Sequence, residues 1–319
     1  MKADVAWHLP LPVGGTPNGQ GSLIAHLDTG YVLHDDLDQV NFVHLLKRDF
    51  ITRGGDASDP LKGLPLVSNP GHGTKTGSVM MSRGNVAPAP FPSTSSGTTG
   101  PGEITGVARE ASYVPIRCIK SVMVIFAGDI AKGVQHATAK GCHVVSMSLG
   151  GFGATALRKA IEVAVNNHLV VVAAAGNHCF AVVYPARYPE CIAMAASNVH
   201  NVPWTGSASG KPVALTAPGE DVWTAEPTRA PSGTGTGSGT SYATAHMAGV
   251  AALWMSFFGR RFLVDLATHQ GAILQELLRE HAMATAYSPP GWDTKNYGSG
   301  IVDVYKLLSN GQEQAAGLR

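Results

Sequence analysis

Short apolar, β-branched runs alternate along the chain with segments in which apolar residues recur every three or four positions. Runs of the first kind predict strands, and the second pattern predicts amphipathic helices. The predicted strands cover residues 23–27, 113–119, 143–147, 170–174, 192–196 and 212–215. The predicted helices cover residues 126–140, 154–167, 242–257 and 264–281. This alternation favours βαβ units and an α/β fold built on a parallel sheet.

Two segments have the composition of loops. Residues 85–102 are rich in Pro, Ser, Thr and Gly and predict a mobile surface insertion. Residues 228–239 are similar, but they lead directly into Thr240 and Ser241 at the start of a predicted helix. Their glycines miss the spacing of a dinucleotide-binding loop, and no strand precedes them, so nucleotide binding is not expected.

Charge and hydropathy narrow the classes of partner. The 319 residues carry a formal net charge of +1, and 14% of them are charged. A broad basic face for nucleic acid or anionic membranes is therefore not expected. The longest apolar run, residues 169–175, is too short to span a bilayer, which takes about 20 residues. No apolar leader follows the first residues, so a secretory signal is not expected in this sequence.

The four cysteines form no C-x-x-C pair and have no zinc-site spacing. Cys118, Cys142 and Cys191 lie within or beside apolar runs, which predicts buried free thiols. A bridge between Cys179 and Cys191 is the alternative, because these two positions are near in sequence and lie at loop edges.

Three polar residues lie at the predicted ends of elements. Asp28 follows an apolar strand, His72 lies between two glycines where a helix begins, and Ser241 starts a long apolar helix. Alone, each has a structural explanation as a turn residue or a helix cap. Together they supply an acid, a base and a hydroxyl, the groups that nucleophilic hydrolysis needs. Asn177, after another buried strand, adds an amide donor suited to an oxyanion.

In their order and context these residues resemble the subtilisin-like serine proteases, or subtilases. The resemblance spans about residues 21–308 and is carried by Ala25-His26-Leu27-Asp28-Thr29-Gly30, Gly71-His72-Gly73-Thr74, Val145-Ser146-Met147-Ser148-Leu149-Gly150-Gly151, Ala173-Ala174-Ala175-Gly176-Asn177, Tyr184-Pro185-Ala186, Thr216-Ala217-Pro218-Gly219 and Gly239-Thr240-Ser241. It implies a three-layer, doubly wound α/β fold with about seven mostly parallel strands flanked by helices. The chain would then be one catalytic domain over residues 1–319, with a flexible tail at 309–319.

The resemblance also assigns roles. Ser241 would be the nucleophile, His72 the general base and acid, Asp28 its orienting anion, and Asn177 the oxyanion donor. Substrate binding would fall to Ser148, Leu149, Gly150, Ala175, Gly176 and Val183. In the family the residue before Tyr-Pro lies at the floor of the first specificity pocket and is often Gly. Val183 in its place predicts a shallow pocket that prefers small or medium apolar residues before the cleaved bond.

Three departures from the family pattern affect these expectations. Lys75 brings a cation near His72, and we expect it to extend to solvent. Ala245 replaces the family's Pro, which predicts a straight helix after the nucleophile. Residues 121–124 replace a Gly/Ser-rich binding strand and leave the upstream subsites open.

Two further groups have simpler explanations. The acidic patch of His34, Asp35, Asp36 and Asp38 is expected to be a surface turn, with a structural Ca²⁺ site as the alternative. No metal or other cofactor is expected in catalysis. His246, five residues after Ser241, is expected to be a packed structural histidine.

The resemblance thus implies a serine endopeptidase of broad specificity that acts on peptides or proteins through an acyl-enzyme. We expect activity to rise as His72 loses its proton, near the range of free imidazole at about pH 6.5. An esterase using Asp265 with His269 or His281 is disfavoured because G-x-S-x-G is absent. An inactive binding protein and a peptide ligase or macrocyclase remain alternatives.

The resemblance also bears on partners and location. We expect a monomer without nucleic-acid or membrane partners. Many subtilases are made with an inhibitory propeptide, and none is visible ahead of Trp7, so either it has been removed or the protein folds unaided. Location stays open between a secreted protein, if this is a trimmed catalytic domain, and a cytoplasmic one.

Overall fold

The computed structural model describes residues 1–37, 41–62, 69–84, 104–228 and 233–316. The insertion predicted at 85–102 lies outside these ranges. The strands are β1 (Leu23–Asp28), β2 (Arg48–Asp49), β3 (Ser112–Arg117), β4 (Met123–Val124), β5 (Val144–Met147), β6 (Gly150–Gly151), β7 (Val170–Ala174), β8 (Ile192–Ser197), β9 (Val213–Pro218), β10 (Val222–Ala225) and β11 (Thr234–Gly237). The helices are α1 (Ala3–Ala6), α2 (His72–Met81), α3 (Gly128–Ala139), α4 (Thr155–Asn166), α5 (Thr240–Phe258), α6 (Arg260–His269), α7 (Leu274–Thr285), α8 (Thr294–Tyr297) and α9 (Val304–Ala316).

A seven-stranded parallel sheet forms the middle layer, in the order β2-β3-β1-β5-β7-β8-β9. Successive side chains of a strand point to opposite faces, and β1 shows this directly. Ile24 joins the hydrophobic core that includes residues of α2 and α5, whereas Ala25 and Leu27 join the core formed with α3 and α4. The three-layer α/β fold expected from the sequence is confirmed.

The strand order places the carboxyl ends of β1, β5 and β7 side by side. The chain passes from β1 to β3 on one side and later to β5 and β7 on the other, so β1 lies at a switch point. Ligand sites in such sheets form outside the carboxyl ends of the strands at a switch point. Asp28 ends β1, Ser148 follows β5, and Asn177 follows β7.

Three predicted elements differ from the structure. The helix predicted at 264–281 is two helices, because Gly271 adopts a left-handed φ of 69° and the Ala272 N–H donates to the Ala267 carbonyl. The loop predicted at 228–239 contains β11, which pairs with β10 in an antiparallel sheet. Its alternating Thr and Gly have no apolar positions, so periodicity does not mark it as a strand.

The segment 309–319, which the sequence predicts to be a flexible tail, is helical as far as Ala316, where α9 ends. Leu307 and Leu308 are buried, and a Cβ at Gly311 would lie 2.6 Å from the Phe258 ring. The helix therefore packs on the core as far as Gly311, which local composition does not reveal. Residues 317–319 lie outside the described ranges.

All four cysteines are free: Cys118, Cys142 and Cys191 are buried and Cys179 is exposed. The predicted buried thiols are confirmed, and the alternative Cys179–Cys191 bridge is not formed. Burial raises the pKa of Cys142 to about 12.

No single helix in the described part of the chain has the length and apolarity to cross a membrane. The pair α5 and α6, bent by 91°, meets that criterion on length and composition alone, and almost all of α5 is buried in the core.

Candidate active site

Asp28 and His72 are brought together by the turn after β1 and the first turn of α2. A Cβ at Gly73 would lie 2.1 Å from the Gly30 carbonyl oxygen, so glycine is what lets the start of α2 approach this turn. His72 Nδ1 then lies 2.8 Å from Asp28 Oδ1 and 3.0 Å from Oδ2. The acid and the base predicted from the sequence are therefore hydrogen-bonded, although they are 44 residues apart.

The environment keeps the Asp28 carboxylate charged. Burial by itself raises its pKa, but the His72 imidazole and hydrogen bonds from His26 and His72 outweigh burial and hold the pKa well below its ordinary value. The Thr29 N–H also donates to Oδ1, at 2.7 Å. A charged carboxylate beside Nδ1 selects the tautomer that carries its proton there and leaves Nε2 as a base.

Ser241 lies in the first turn of α5 and is 7% exposed. Its Oγ donates to the Ser148 carbonyl over a long 3.4 Å, and Ser148 Oγ donates to the Ser241 carbonyl at 2.9 Å. Within the described ranges, Ser241 Oγ has no hydrogen bond to His72. The structure thus shows the Asp28–His72 contact but not the predicted contact to the hydroxyl. A hydrogen bond from Oγ to His72 would need this hydroxyl to turn away from the Ser148 carbonyl.

The amide of Asn177 is oriented by Thr240. Asn177 Oδ1 accepts from both the backbone N–H and the Oγ1 of Thr240, each at 2.9 Å. Two donors on Oδ1 fix the assignment of oxygen and nitrogen, so Nδ2 takes the other side, where a Cβ at Gly239 would lie 3.0 Å away. Gly176 N–H donates to Thr240 Oγ1 at 3.1 Å and connects the two loops. The arrangement presents an amide donor beside the start of α5.

Gly150, one of the predicted substrate-binding residues, lies in β6, and this strand has a neighbour on one edge. β6 pairs with β4, and the Gly150 N–H donates to the Val122 carbonyl at 2.9 Å. Within residues 121–124, Met123 and Val124 therefore form a strand beside β6. Leu149 is buried, whereas several large apolar side chains after β4, after β6 and after Asn177, together with Met123 of β4, are exposed: Met123, Ile125, Phe126, Phe152 and Phe180.

Val183 lies against both segments that the sequence predicts to line the specificity pocket. Its N–H donates to the Ala175 carbonyl at 2.9 Å. A Cβ at Gly150 would lie 2.3 Å from Val183 Cγ2, and a Cβ at Gly176 would lie 3.2 Å from both Val183 methyl groups. The isopropyl group thus fills the space between Gly150 and Gly176.

Lys75 does not extend to solvent as predicted. Its Nζ lies 2.5 Å from Glu226 Oε2, and Thr228 Oγ1 donates to Glu226 Oε1 at 2.6 Å. Glu226 follows β10, and it was not identified from the sequence because it lies 151 residues from Lys75. This ion pair directs the cation of Lys75 to a carboxylate and connects α2 to the segment after β10. As predicted, α5 continues unbroken past Ala245.

Two other histidines, His34 and His246, are held by backbone groups. His34 Nε2 lies 2.7 Å from the Gly233 carbonyl, and its Nδ1 accepts from the Asp36 N–H. His246 Nδ1 faces the carbonyls of Pro218 and Tyr242, and burial lowers its pKa to about 4, so it is the structural histidine expected. Asp38 lies outside the described residues. Among those described, no cluster of three His, Cys, Asp or Glu side chains could hold a metal.

Sequence reasoning missed two residues at this site, Thr240 and His26. Thr240 orients the Asn177 amide, as described above. The signal for His26 is its position two residues before Asp28 on a strand, because residues i and i+2 share one face.

Comparisons with known proteins identify the family. A model of the subtilase family matches residues 19–303. Subtilisin E of Bacillus subtilis (strain 168) is 34% identical over 215 residues, which cover 65% of this chain and 51% of that protein. Thermitase of Thermoactinomyces vulgaris is 33% identical over 258 residues, 80% of each chain. The chain spans about half the length of the first of these relatives.

Solved structures show the same fold. A structure of proteases from Pseudoalteromonas arctica superposes with a TM-score of 0.72 and 26% identity, covering 97% of this chain and 98% of that one. A mutant of the protease domain of PatA has a TM-score of 0.67 at 22% identity, covering 92% of this chain and 96% of that one, and shows the fold alone. With the family match over most of its length, this chain belongs to the subtilase family.

Proposed function

We propose that this protein is a serine endopeptidase that cleaves peptides or proteins through an acyl-enzyme. The observation that carries the proposal is the hydrogen bond between His72 Nδ1 and the buried Asp28 carboxylate. It lies at the same edge of the sheet as the Asn177 amide and the first turn of α5, which contains Ser241.

In the proposed reaction Ser241 Oγ attacks the scissile carbonyl carbon while His72 Nε2 takes its proton. The carbonyl oxygen becomes an oxyanion and accepts hydrogen bonds from Asn177 Nδ2 and the Ser241 backbone N–H, at the positive end of α5. His72 then gives its proton to the leaving amine, the C–N bond breaks, and an ester to Ser241 remains. A water molecule, deprotonated by His72, hydrolyses that ester by the same steps.

We propose small or medium apolar residues before the cleaved bond as the preferred substrates. The position of Val183 between Gly150 and Gly176 supports this, because its methyl groups take up space that an aromatic ring would need. A difference of about one methylene changes selectivity by only about 1–3 kcal/mol, so cleavage should remain broad.

Two alternatives use the same fold. In a peptide ligase an amine, not water, attacks the acyl-enzyme, and in a binding protein neither reaction occurs. The prenylagaramide maturation protease PagA has a TM-score of 0.62 at 22% identity, a likeness that supports the fold and leaves the choice between water and amine to experiment.

A fluorophosphonate probe tests the proposal directly. We expect one adduct, mapped to Ser241 by mass spectrometry, and no labelling of the Ser241→Ala or His72→Ala variants. The products of a peptide substrate incubated with an added amine then separate hydrolysis from ligation by mass. Absence of labelling in the folded, unaltered protein would contradict the enzymatic proposal.

A further inference from the structure

A second histidine lies behind the Asp28 carboxylate. His26 is on β1, and its side chain is fully buried on the same face of the sheet as Asp28. Its Nδ1 lies 2.7 Å from Tyr113 Oη on β3. Its Nε2 lies 3.1 Å from Thr76 Oγ1 on α2 and 3.5 Å from Asp28 Oδ2.

The partners determine where the His26 proton lies. Thr76 Oγ1 is 2.9 Å from the His72 carbonyl oxygen, which can only accept, so the single hydroxyl proton of Thr76 is used there. Thr76 Oγ1 is then left to accept from His26 Nε2–H. With the ring proton on Nε2, Nδ1 accepts from the Tyr113 hydroxyl. Burial raises the pKa of Tyr113 well above its ordinary value, which keeps that donor protonated.

With this tautomer, His26 Nε2–H donates to Thr76 Oγ1 at 3.1 Å and lies beside Asp28 Oδ2, which is 3.5 Å from Nε2. The other carboxylate oxygen, Oδ1, already accepts from His72 Nδ1 and the Thr29 N–H. His26 thus adds a donor on the Oδ2 side of the carboxylate, whose only other donor there is His72 Nδ1 at 3.0 Å within the described residues. A donor on Oδ2 restricts rotation of the carboxylate and withdraws part of its charge from His72.

We propose that His26 is a positioning residue of the triad. It holds the Asp28 carboxylate in place for His72 and moderates how strongly that carboxylate favours a protonated His72. The proposal rests on the proposed function and deepens it, because the role of His26 is exerted through Asp28.

Other groups face Asp28 and are unchanged by substitution of His26. Arg117 Nε donates to the Thr29 carbonyl, but its NH1 pairs with Asp49 at 2.8 Å. The remaining titratable groups that face Asp28 or its turn are His72 from α2, Tyr113 from β3, Cys118 after β3, Tyr242 from α5, and Asp59 through Thr29 Oγ1. Apart from Tyr113, whose hydroxyl bonds to His26 itself, these groups form a constant background against which the effect of His26 is measured.

The test compares His26→Leu with His26→Gln, whose side-chain amide can place an N–H near the position of Nε2. For His26→Leu we expect kcat to fall about tenfold with KM unchanged. The acid limb of the pH profile of kcat/KM should move upward by about half a pH unit, because the full charge of Asp28 then acts on His72. The low-field proton resonance of His72 Nδ1–H should shift. His26→Gln should restore most of kcat, the acid limb and the resonance.

Tyr113→Phe is the second variant, and it keeps the imidazole and its packing. Without the phenol, Nδ1 is free to take the proton, so we expect the same direction of pH shift with a smaller size. A folded, active Tyr113→Phe or His26→Leu protein with an unchanged acid limb and kcat would overturn the proposal, as would equal losses in His26→Leu and His26→Gln. Failure of the proposed function is distinguishable, since the unaltered protein would then not react with the fluorophosphonate probe.

Discussion

At the scale of single residues, Val183 makes selectivity testable. Its methyl groups stand where a side chain on either Gly150 or Gly176 would clash, so they limit how deep the adjoining space can be. Removing them should admit larger substrate side chains without changing the groups that perform the reaction.

We expect Val183→Gly to raise kcat/KM for peptides with Phe before the cleaved bond by about tenfold or more relative to those with Ala. A peptide panel assayed at equal enzyme concentration measures this ratio. Val199→Gly, at a highly exposed valine, serves as the matched control and should leave the ratio unchanged. Faster turnover of Phe than of Ala by the unaltered protein would reject the shallow pocket.

At the scale of elements, the helix that carries His72 is attached to the segment after β10 by the Lys75–Glu226 ion pair. The side chains are 23% and 11% exposed, so both charges are largely removed from water. Burial raises the pKa of Glu226, but hydrogen bonds from Lys75 and Thr228 outweigh this and lower it overall. A carboxylate whose folded pKa is lowered stabilises the fold above its unfolded pKa, and that contribution is lost as the pH falls through the folded pKa.

Glu226→Gln should therefore reduce the free energy of unfolding by about 1–3 kcal/mol at pH 7, since it leaves the Lys75 charge partly buried. The loss should shrink at a pH low enough to protonate Glu226 in the folded protein, which its lowered pKa places below the ordinary range of a glutamate. Urea unfolding at both pH values measures the difference.

Glu162→Gln breaks an exposed pair with Arg158 and should cost less than about 0.5 kcal/mol. Equal costs for the two variants, or a cost independent of pH, would contradict the role given to this pair.

At the scale of the whole molecule, the cysteines report on cooperative unfolding. Cys118, Cys142 and Cys191 all belong to the core between the sheet and helices α3 and α4, whereas Cys179 is exposed. Burial also raises the pKa of each of the three core thiols, which lowers the fraction of reactive thiolate.

We expect iodoacetamide to label Cys179 alone in the native protein, and Cys179→Ser to abolish that labelling. The three core thiols should react together, over the urea range in which the whole domain unfolds. Quantitative mass spectrometry of the labelled peptides gives each midpoint. If one of the three reacted well before the others, the core on this face would not unfold as a single unit.

Much of the fold follows from local pattern. Val170–Ala174 has no polar position, which predicts a strand covered on both faces of the sheet. The structure has this strand with the predicted bounds and with every residue buried. The six predicted strands are all present in the central sheet, with bounds that differ by a few residues. Periodicity did not predict elements that are stabilised by pairing or packing and not by residue type. β11 pairs with β10, and α9 packs on Phe258 at Gly311.

The sequence alone determined the fold class, the family, and which residues supply an acid, a base, a hydroxyl and an amide, because these depend on residue type and on the order of motifs. Only the tertiary structure decided which groups meet across long separations. It paired Lys75 with Glu226, turned the Ser241 hydroxyl to Ser148, and placed Tyr113 and Thr76 on the two nitrogens of His26. Such contacts form only when elements far apart in the chain are placed to within a few tenths of an ångström. Local sequence carries no record of that placement.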